Sequence, residues 1–308
     1  MAIHLAGASM LLWARSLVAA LLAPAMILAV AGCRDAPDEG SEGRPPNPLL
    51  YEIASADGTV EGWMLGTIHA LPNGTQWQTP AINGAIGDAD LLVVEVKLGD
   101  SAIRTKVLVE LAATAAQPPL EERVPADLRP QLAALLERGG MAGVDFSTQE
   151  TWALAIVLAG IDAPGNSING VDRAMINYFS RRPIRELEGL RGQLSIFDRL
   201  PETAQRSMLA AVVRENENTR RDPERLQRAW LAGNAATIEQ STRRGFLADP
   251  VLREALLVGR NRRWATALLP LLDEAPRPLI AVGAAHLVGP DGLPALLKAQ
   301  GYRIRRLR

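Results

Sequence analysis

The sequence predicts an α/β protein, with a mixed central β-sheet flanked by helices and a helical segment in the middle of the chain. Three observations lead there. The run LLVVEV is nearly continuous in apolar residues, as expected of a strand buried on both faces of an α/β sheet. Between about 100 and 165, and again after 200, apolar positions recur three and four apart, which is helical spacing. Strand-like segments then return near the C-terminus, so β-loop-α-β units bracket the helices.

The elements follow in order. LLYEIAS and TVEGWMLG flank the turn signal Ala56-Asp57-Gly58 and read as a hairpin. After the polar loop LPNGTQWQ, Thr79 reads as an N-cap and Pro80 as the first helical residue of AINGAIGDA. The strand LLVVEV follows Asp90 and carries one acid, Glu95. IRTKVLVELAATA, DLRPQLAALLERG and TQETWALAIVLAG read as helices, with Pro118 and Pro119 separating the first two. Residues 183–188, PIRELE, bring the chain back to the sheet as a short strand. ETAQRSMLAAVVRENE, DPERLQRAWLAG and VLREALLVGRNRRWATALLPLL are helical, and Trp152, Trp230 and Trp264 are expected to pack those helices together. RPLIAVG is a buried strand, AHLVGP a loop, DGLPALLKAQG a helix ended by Gly301, and YRIRRL an alternating strand. The order of strands is not readable.

The N-terminus is set apart. Residues 1–32 hold one arginine, Arg15, and no acid, ahead of the apolar run SLVAALLAPAMILAVAGC. That is the layout of a secretory signal peptide; the alternative is a short retained anchor, interrupted by Pro24. Val30-Ala31-Gly32-Cys33 resembles the lipobox of bacterial lipoproteins, in which Cys33 is lipidated and leads the mature chain. This implies a lipid-anchored protein of the bacterial cell envelope, and Arg34 in second place favours the periplasm-facing outer membrane. Met10 is an alternative start. Residues 33–48 are charged and rich in Pro and Gly, a flexible tether, and 49–308 form the folded domain. The single cysteine excludes an intramolecular disulfide and a thiolate metal cage. Loss of the leader moves the net charge from −1 to −2, with both signs interspersed. No concentrated basic footprint for nucleic acid is present.

Of three histidines, His4 lies in the leader. The other two close the same pattern, Gly66-x-x-His69 and Gly283-x-x-His286, each after an apolar strand. Open α/β sheets bind ligands at the carboxyl ends of their strands, and the glycine permits a sharp bend or a close approach. A repeated setting for the only two histidines favours one shared site over unrelated packing roles. Glu95 joins the set, because a buried acid must be paired, hydrogen-bonded or coordinated, unless it points to solvent at the strand end. His69, His286 and Glu95 form a ligand set for a divalent metal ion such as Zn, Mn, Fe or Co. With an open position, the ion would generate a nucleophilic water. A metal-free site fits equally, with a histidine as base and Glu95 orienting it or activating water. Further candidates are Glu186, Glu188, Arg260, Asn261 and Asp172. Arg260 either stabilises an oxyanion or pairs with an acid at a helix end, and Asp172 either caps a helix or orients a ligand. There is no His-Glu-x-x-His, no Gly-x-Ser-x-Gly and no phosphate-binding glycine loop.

GWMLGTIHALP, ADLLVVEV, GVDRAMINYFSRRPIRELEGLRGQLSIFD, VGRNRRWATAL and PLIAVGAAHLVGPDGLPALLKAQGYRIRRL together resemble the TraB/GumN family, in order and over about residues 49–308. That family includes the animal Tiki proteins, membrane-tethered proteases that depend on divalent metal. It is similar in fold to erythromycin esterases and ChaN-like haem-binding lipoproteins. The resemblance implies a mixed sheet with both Gly-x-x-His motifs facing one cleft, and a metal-dependent hydrolase, with a peptidase acting on a peptide or protein as the leading expectation. A haem, metal or small-ligand carrier and a metal-free esterase are the alternatives. By the family's pattern His69 and His286 are the motif histidines, Glu95 is the strand-end acid, and Glu188, Arg260 and Asn261 match further polar positions. Two departures stand out: Asn234 replaces a usual acid, expected to concern helix packing, and Gly189 replaces a usual threonine beside Glu188.

Overall fold

The computed structural model describes residues 45–97, 99, 101–273 and 276–308. Cys33, the leader and most of the expected tether lie outside the described residues. Among the described residues no helix is long and apolar enough to cross a membrane.

The hairpin forms as its turn signal predicts. Strand β1 (Leu50–Ala54) runs antiparallel to β2 (Val60–Thr67). Helix α1 (Pro80–Asp88) opens with Thr79 accepting the Ile82 amide, so one orphan donor of the first turn is satisfied. Strand β3 (Leu91–Val94) is buried throughout and stops one residue short of Glu95. The helical middle begins with α2 (Ser101–Ala112), α3 (Arg129–Arg138) and α4 (Thr151–Ala159). Irregular chain between these helices is tied by Arg123, whose buried guanidinium donates to the carbonyls of Pro118, Phe146 and Gln149. Helix α5 (Val171–Tyr178) leads to the short strand β4 (Ile184–Glu186). Then come α6 (Gly189–Asp198), α7 (Glu202–Arg221), α8 (Arg225–Leu231), α9 (Ala235–Ser241) and α10 (Pro250–Arg253).

The long helix expected from 251 is not continuous. A π-helical turn, Glu254–Val258, stands between α10 and α11 (Gly259–Leu272). Such turns shift the register of everything after them and are concentrated at functional sites. Strand β5 (Pro278–Gly283) follows, and the segment after it, expected as loop, starts as a 3-10 turn over Ala284–Leu287 that carries His286. Helix α12 (Leu293–Ala299) and β6 (Arg303–Leu307) close the chain.

The six strands form one mixed sheet in the order β4-β3-β5-β2-β1-β6. Strands β4, β3, β5 and β2 are mutually parallel, and β1 runs antiparallel between β2 and β6. Strand β5, almost the last in sequence, inserts between β2 and β3, so the Glu95 strand is not the spatial neighbour of the His69 strand. The apolar interior divides into a cluster around the sheet and one among α2–α4, α6, α7 and α10. Of the three tryptophans expected to pack helices, Trp152 does so, stacked on Phe197 with ring centroids 5.9 Å apart. Trp230 instead packs toward the sheet, its indole N–H donating to Gly66 O at 2.8 Å. Trp264 belongs to the candidate site.

Candidate functional site

Four parallel strands end on one edge of the sheet, at Glu186, Val94, Gly283 and Thr67. Just beyond those ends, in sheet order, stand Glu188, Glu95, His286 and His69. The parallel register pairs Thr67 with Gly283, so the two Gly-x-x-His motifs leave neighbouring strands offset by one residue. Neither glycine of the motifs is replaceable without displacement. A Cβ on Gly66 would lie 3.1 Å from Cα and Cβ of Ala284, and one on Gly283 would lie 3.3 Å from Glu95 Oε1.

His69 is held from the helix side. The backbone N–H of Val171, first residue of α5, donates to Ile68 O at 2.9 Å, so the start of α5 docks on the motif. One residue on, Asp172 Oδ2 lies 2.6 Å from His69 Nδ1, and its other oxygen accepts from the Thr67 hydroxyl. Burial alone would depress the imidazole pKa. The Asp172 carboxylate, by charge and by hydrogen bond, outweighs it with help from Glu95 and raises the pKa above its ordinary value. The His69 side chain is 20% exposed and Asp172 23%.

His286 is in the opposite state. It is buried, with its Nδ1 2.5 Å from Asn261 Oδ1. Asn261 Nδ2 donates to Asp291 O at 2.7 Å, which fixes the amide with its oxygen toward the ring. Nδ1 must therefore carry the proton, and Nε2 holds a lone pair. Arg260 Nη1 lies 3.4 Å from that Nε2. Burial pushes the His286 pKa down to about 3; Glu95 opposes this, and the charges of Arg260 and His69 add to it. The ring also lies 4.4 Å, centroid to centroid, from Trp264.

Arg260 joins the acids. Its Nε donates to Glu188 at 3.0 Å, Nη2 to Glu95 Oε2 at 2.6 Å and to Glu188 Oε2 at 2.9 Å, and Nη1 to Leu256 O at 3.2 Å within the π-helical turn. With the contact to His286 Nε2, all five guanidinium N–H groups are committed. Arg260 is thus neither a free oxyanion donor nor a simple helix-end pair; it positions Glu95, Glu188 and His286 together. Glu95 accepts in addition from Gly283 N–H at 2.8 Å and from Gln193 Nε2 at 3.1 Å. Burial would raise its pKa, but Arg260 foremost, with both histidines and the Gly283 amide, lowers it to about 2.

The expected metal set of His69, His286 and Glu95 does not fit a divalent ion as arranged. The charge of Glu95 is already matched by Arg260, whose Nη1 stands where an ion would meet His286 Nε2. Among the described residues no group of three His, Cys, Asp or Glu side chains is disposed to hold a metal.

The structure brings Glu95, Glu188, Arg260, Asn261 and His286 into one hydrogen-bonded cluster, and the charge of His69 is felt at both Glu95 and His286. Glu186 lies outside it, its exposed carboxylate accepting the Lys97 amide at 2.6 Å. Asp172 resolves as the partner of His69. Thr67 and Gln193 are not singled out by the sequence, and Trp264 is marked there only as helix packing. The strand-end place of Thr67 beside a motif glycine was a usable signal, whereas nothing local marked Gln193. Asn234 caps α9, accepting from Thr237 N–H. Gly189 has φ 69°, a conformation that the threonine usual at this place resists.

This is an α/β protein whose polar centre lies at the carboxyl edge of a mixed sheet and is built from two Gly-x-x-His motifs, two acids and a buried arginine. The profile of the TraB/PrgY/gumN family matches residues 49–306, and the chain belongs to that family. Two relatives carry the name "Uncharacterized protein YbaP". The one from Shigella flexneri is 25% identical over 246 residues, covering 78% of this chain and 89% of the relative. The one from Escherichia coli (strain K12) is 25% identical over 240 residues, covering 76% and 87%. No solved structure matches the chain.

Proposed function

We propose that the protein is a hydrolase of amide or ester bonds in the cell envelope, working by general acid–base chemistry at His69. The carrying observation is the pair of histidines driven in opposite directions: His69 raised by Asp172, His286 held neutral by burial and by Asn261. Titratable groups whose environments separate their pKa values mark acid–base assignments. In this reading His69 takes a proton from water as the oxygen attacks the carbonyl carbon. It then returns that proton to the leaving amine nitrogen or alkoxide oxygen as the carbonyl–heteroatom bond breaks. His286 Nε2, kept unprotonated, faces Arg260 Nη1 at 3.4 Å and helps to hold the guanidinium in place. Glu95, Glu188 and Arg260 are positioning residues.

A divalent ion at His69, His286 and Glu95 is the second reading. It is favoured by the anchoring of both rings through Nδ1, the arrangement that metal-ligating histidines use, and it requires Arg260 to leave Glu95. The test is protein purified without an affinity tag, treated with chelator, and assayed on a peptide library and on simple esters beside His69→Ala. Turnover that survives chelation and is lost in His69→Ala is expected. Turnover that disappears with chelation and returns with Zn, Mn, Fe or Co moves the site to the second reading. No cleavage with or without ions sinks both. Anchoring through a lipidated Cys33 belongs to the same proposal, supported by the composition of the leader, and Cys33→Ser should release the protein from the membrane fraction.

A further inference from the structure

Thr67 is the last residue of β2 and is buried. A hydroxyl at that depth needs a hydrogen-bond partner, and it finds one far away in sequence: the Thr67 O–H donates to Asp172 Oδ1. The direction is fixed, because an ionised carboxylate only accepts. The second carboxylate oxygen, Oδ2, lies 2.6 Å from His69 Nδ1. Thr67, Asp172 and His69 therefore form a chain of three side chains that ends at the imidazole.

The inner end of that chain is held firmly. Gly66 N–H donates to Leu49 O at 2.8 Å, and Gly66 O accepts from the Trp230 indole at 2.8 Å. On the other side of Thr67, Ile68 O accepts the Val171 amide at 2.9 Å. With the backbone tied on both sides and a β-branched side chain stiff at χ1, the direction of the hydroxyl follows from the strand. Asp172 has no such constraint of its own. It sits in the first turn of α5, where a carboxylate can instead turn back on the free amides of its helix. Gly170 brings this turn so close to the motif that a Cβ there would lie 2.3 Å from His69 O. The bond to Thr67 fixes one carboxylate oxygen to the sheet and presents the other to the ring. We infer that Thr67 is a positioning residue for His69: its hydroxyl locks the Asp172 carboxylate, which holds the ring through Nδ1 and leaves Nε2 to exchange the proton. The consequence for turnover rests on the hydrolase reading; the positioning itself does not.

The test is proton NMR of the ring N–H groups in the whole protein carrying isotopically labelled histidine, with the His69 signal assigned by its loss in His69→Ala. Two variants separate the hydroxyl from the shape of the side chain. Thr67→Val keeps the branched shape and removes the donor, whereas Thr67→Ser keeps the donor and removes the methyl group. The His69 Nδ1–H signal should lie far downfield in the wild type, as for a short bond to a carboxylate, and persist in Thr67→Ser. In Thr67→Val it should return to the ordinary range or vanish by exchange, while the His286 signal stays in place. On a cleaved substrate, Thr67→Val should lower kcat by about 10–100-fold with little change in KM, and Thr67→Ser should recover most of the loss. A wild type without the downfield signal, a signal unmoved in Thr67→Val, or one moved equally by both variants overturns the proposal. Should Thr67→Val fail to fold, Thr67→Ala set against Thr67→Ser makes the same comparison. The two readings fail separately. If the signal responds as expected but no substrate is ever cleaved, the hydrolase reading falls and the role of Thr67 stands. If cleavage occurs and Thr67→Val matches the wild type in signal and rate, the role of Thr67 falls and the hydrolase reading stands.

Discussion

Arg260 Nη2 donates to Glu95 Oε2 at 2.6 Å in a setting where both side chains are almost completely buried. Glu188 completes the arrangement from the other side of the guanidinium. Taking three charged groups from water is costly, and the cost is offset only because nearly every donor and acceptor is matched. Breaking one partner should therefore be far worse than removing the set.

Arg260→Met leaves two carboxylates in the interior and should lower stability by about 3–5 kcal/mol. Arg260→Lys should recover only part of this, because an ammonium cannot reproduce the planar fork. Combining Arg260→Met with Glu95→Gln and Glu188→Gln should restore most of the loss. Denaturant unfolding of the variants checks the series, and a triple variant no more stable than Arg260→Met would contradict it.

The acid–base role of His69 predicts a pH profile. The rate should rise as His69 loses its proton, with an apparent pKa above the ordinary 6.5 because of Asp172. Asp172→Asn should move that limb to lower pH and reduce the rate by a factor of about 10²–10⁴. A profile unchanged in Asp172→Asn would separate the carboxylate from the chemistry.

Neutral His286 should show no titration by NMR across the physiological range, since its pKa is held down to about 3. Asn261→Asp replaces a neutral acceptor with a charged one beside Nδ1. The imidazolium should then be favoured, bringing a titration into view at roughly pH 5–8.

Stability should fall on acidification in two overlapping stages. Below pH 6.5 the unfolded chain protonates His286 while the native chain does not until about pH 3, so the unfolded state is favoured. Below about pH 4.5 the unfolded chain also protonates Glu95, whose native pKa is about 2. His69 works the other way: its contribution is present below 6.5 and is lost as pH rises through its raised native pKa. His286→Gln should flatten the first stage, read by urea unfolding at a series of pH values.

Gly66→Ala tests the close approach of the two motifs. Its Cβ would press on Ala284 and Leu49, and the expected loss is about 1–3 kcal/mol.

Much of this was legible before the structure. Scarcity made His69 and His286 conspicuous, and their strand-end glycines placed them in one crevice. The run LLVVEV announced a buried strand and drew attention to Glu95. The turn at Ala56-Asp57-Gly58 and the cap at Thr79-Pro80 were readable because their causes are local. The π-helical turn was not, since the apolar spacing through residues 251–272 is compatible with an uninterrupted helix. Trp264 looked like packing because an aromatic at helical spacing is usually that.

What the sequence determined by itself was the set of elements and the short list of polar residues, because hydrophobic period, caps and residue scarcity are properties of neighbours along the chain. The tertiary structure alone decided who meets whom. Insertion of β5 between β2 and β3 sets His286 between His69 and Glu95. Docking of α5 on Ile68 turns Asp172 from a possible cap into the partner of His69. The fork of Arg260 converts a plausible metal set into a neutralised cluster, and Asn261 selects the tautomer of His286. Each depends on contacts between segments far apart in sequence, and no local pattern encodes them.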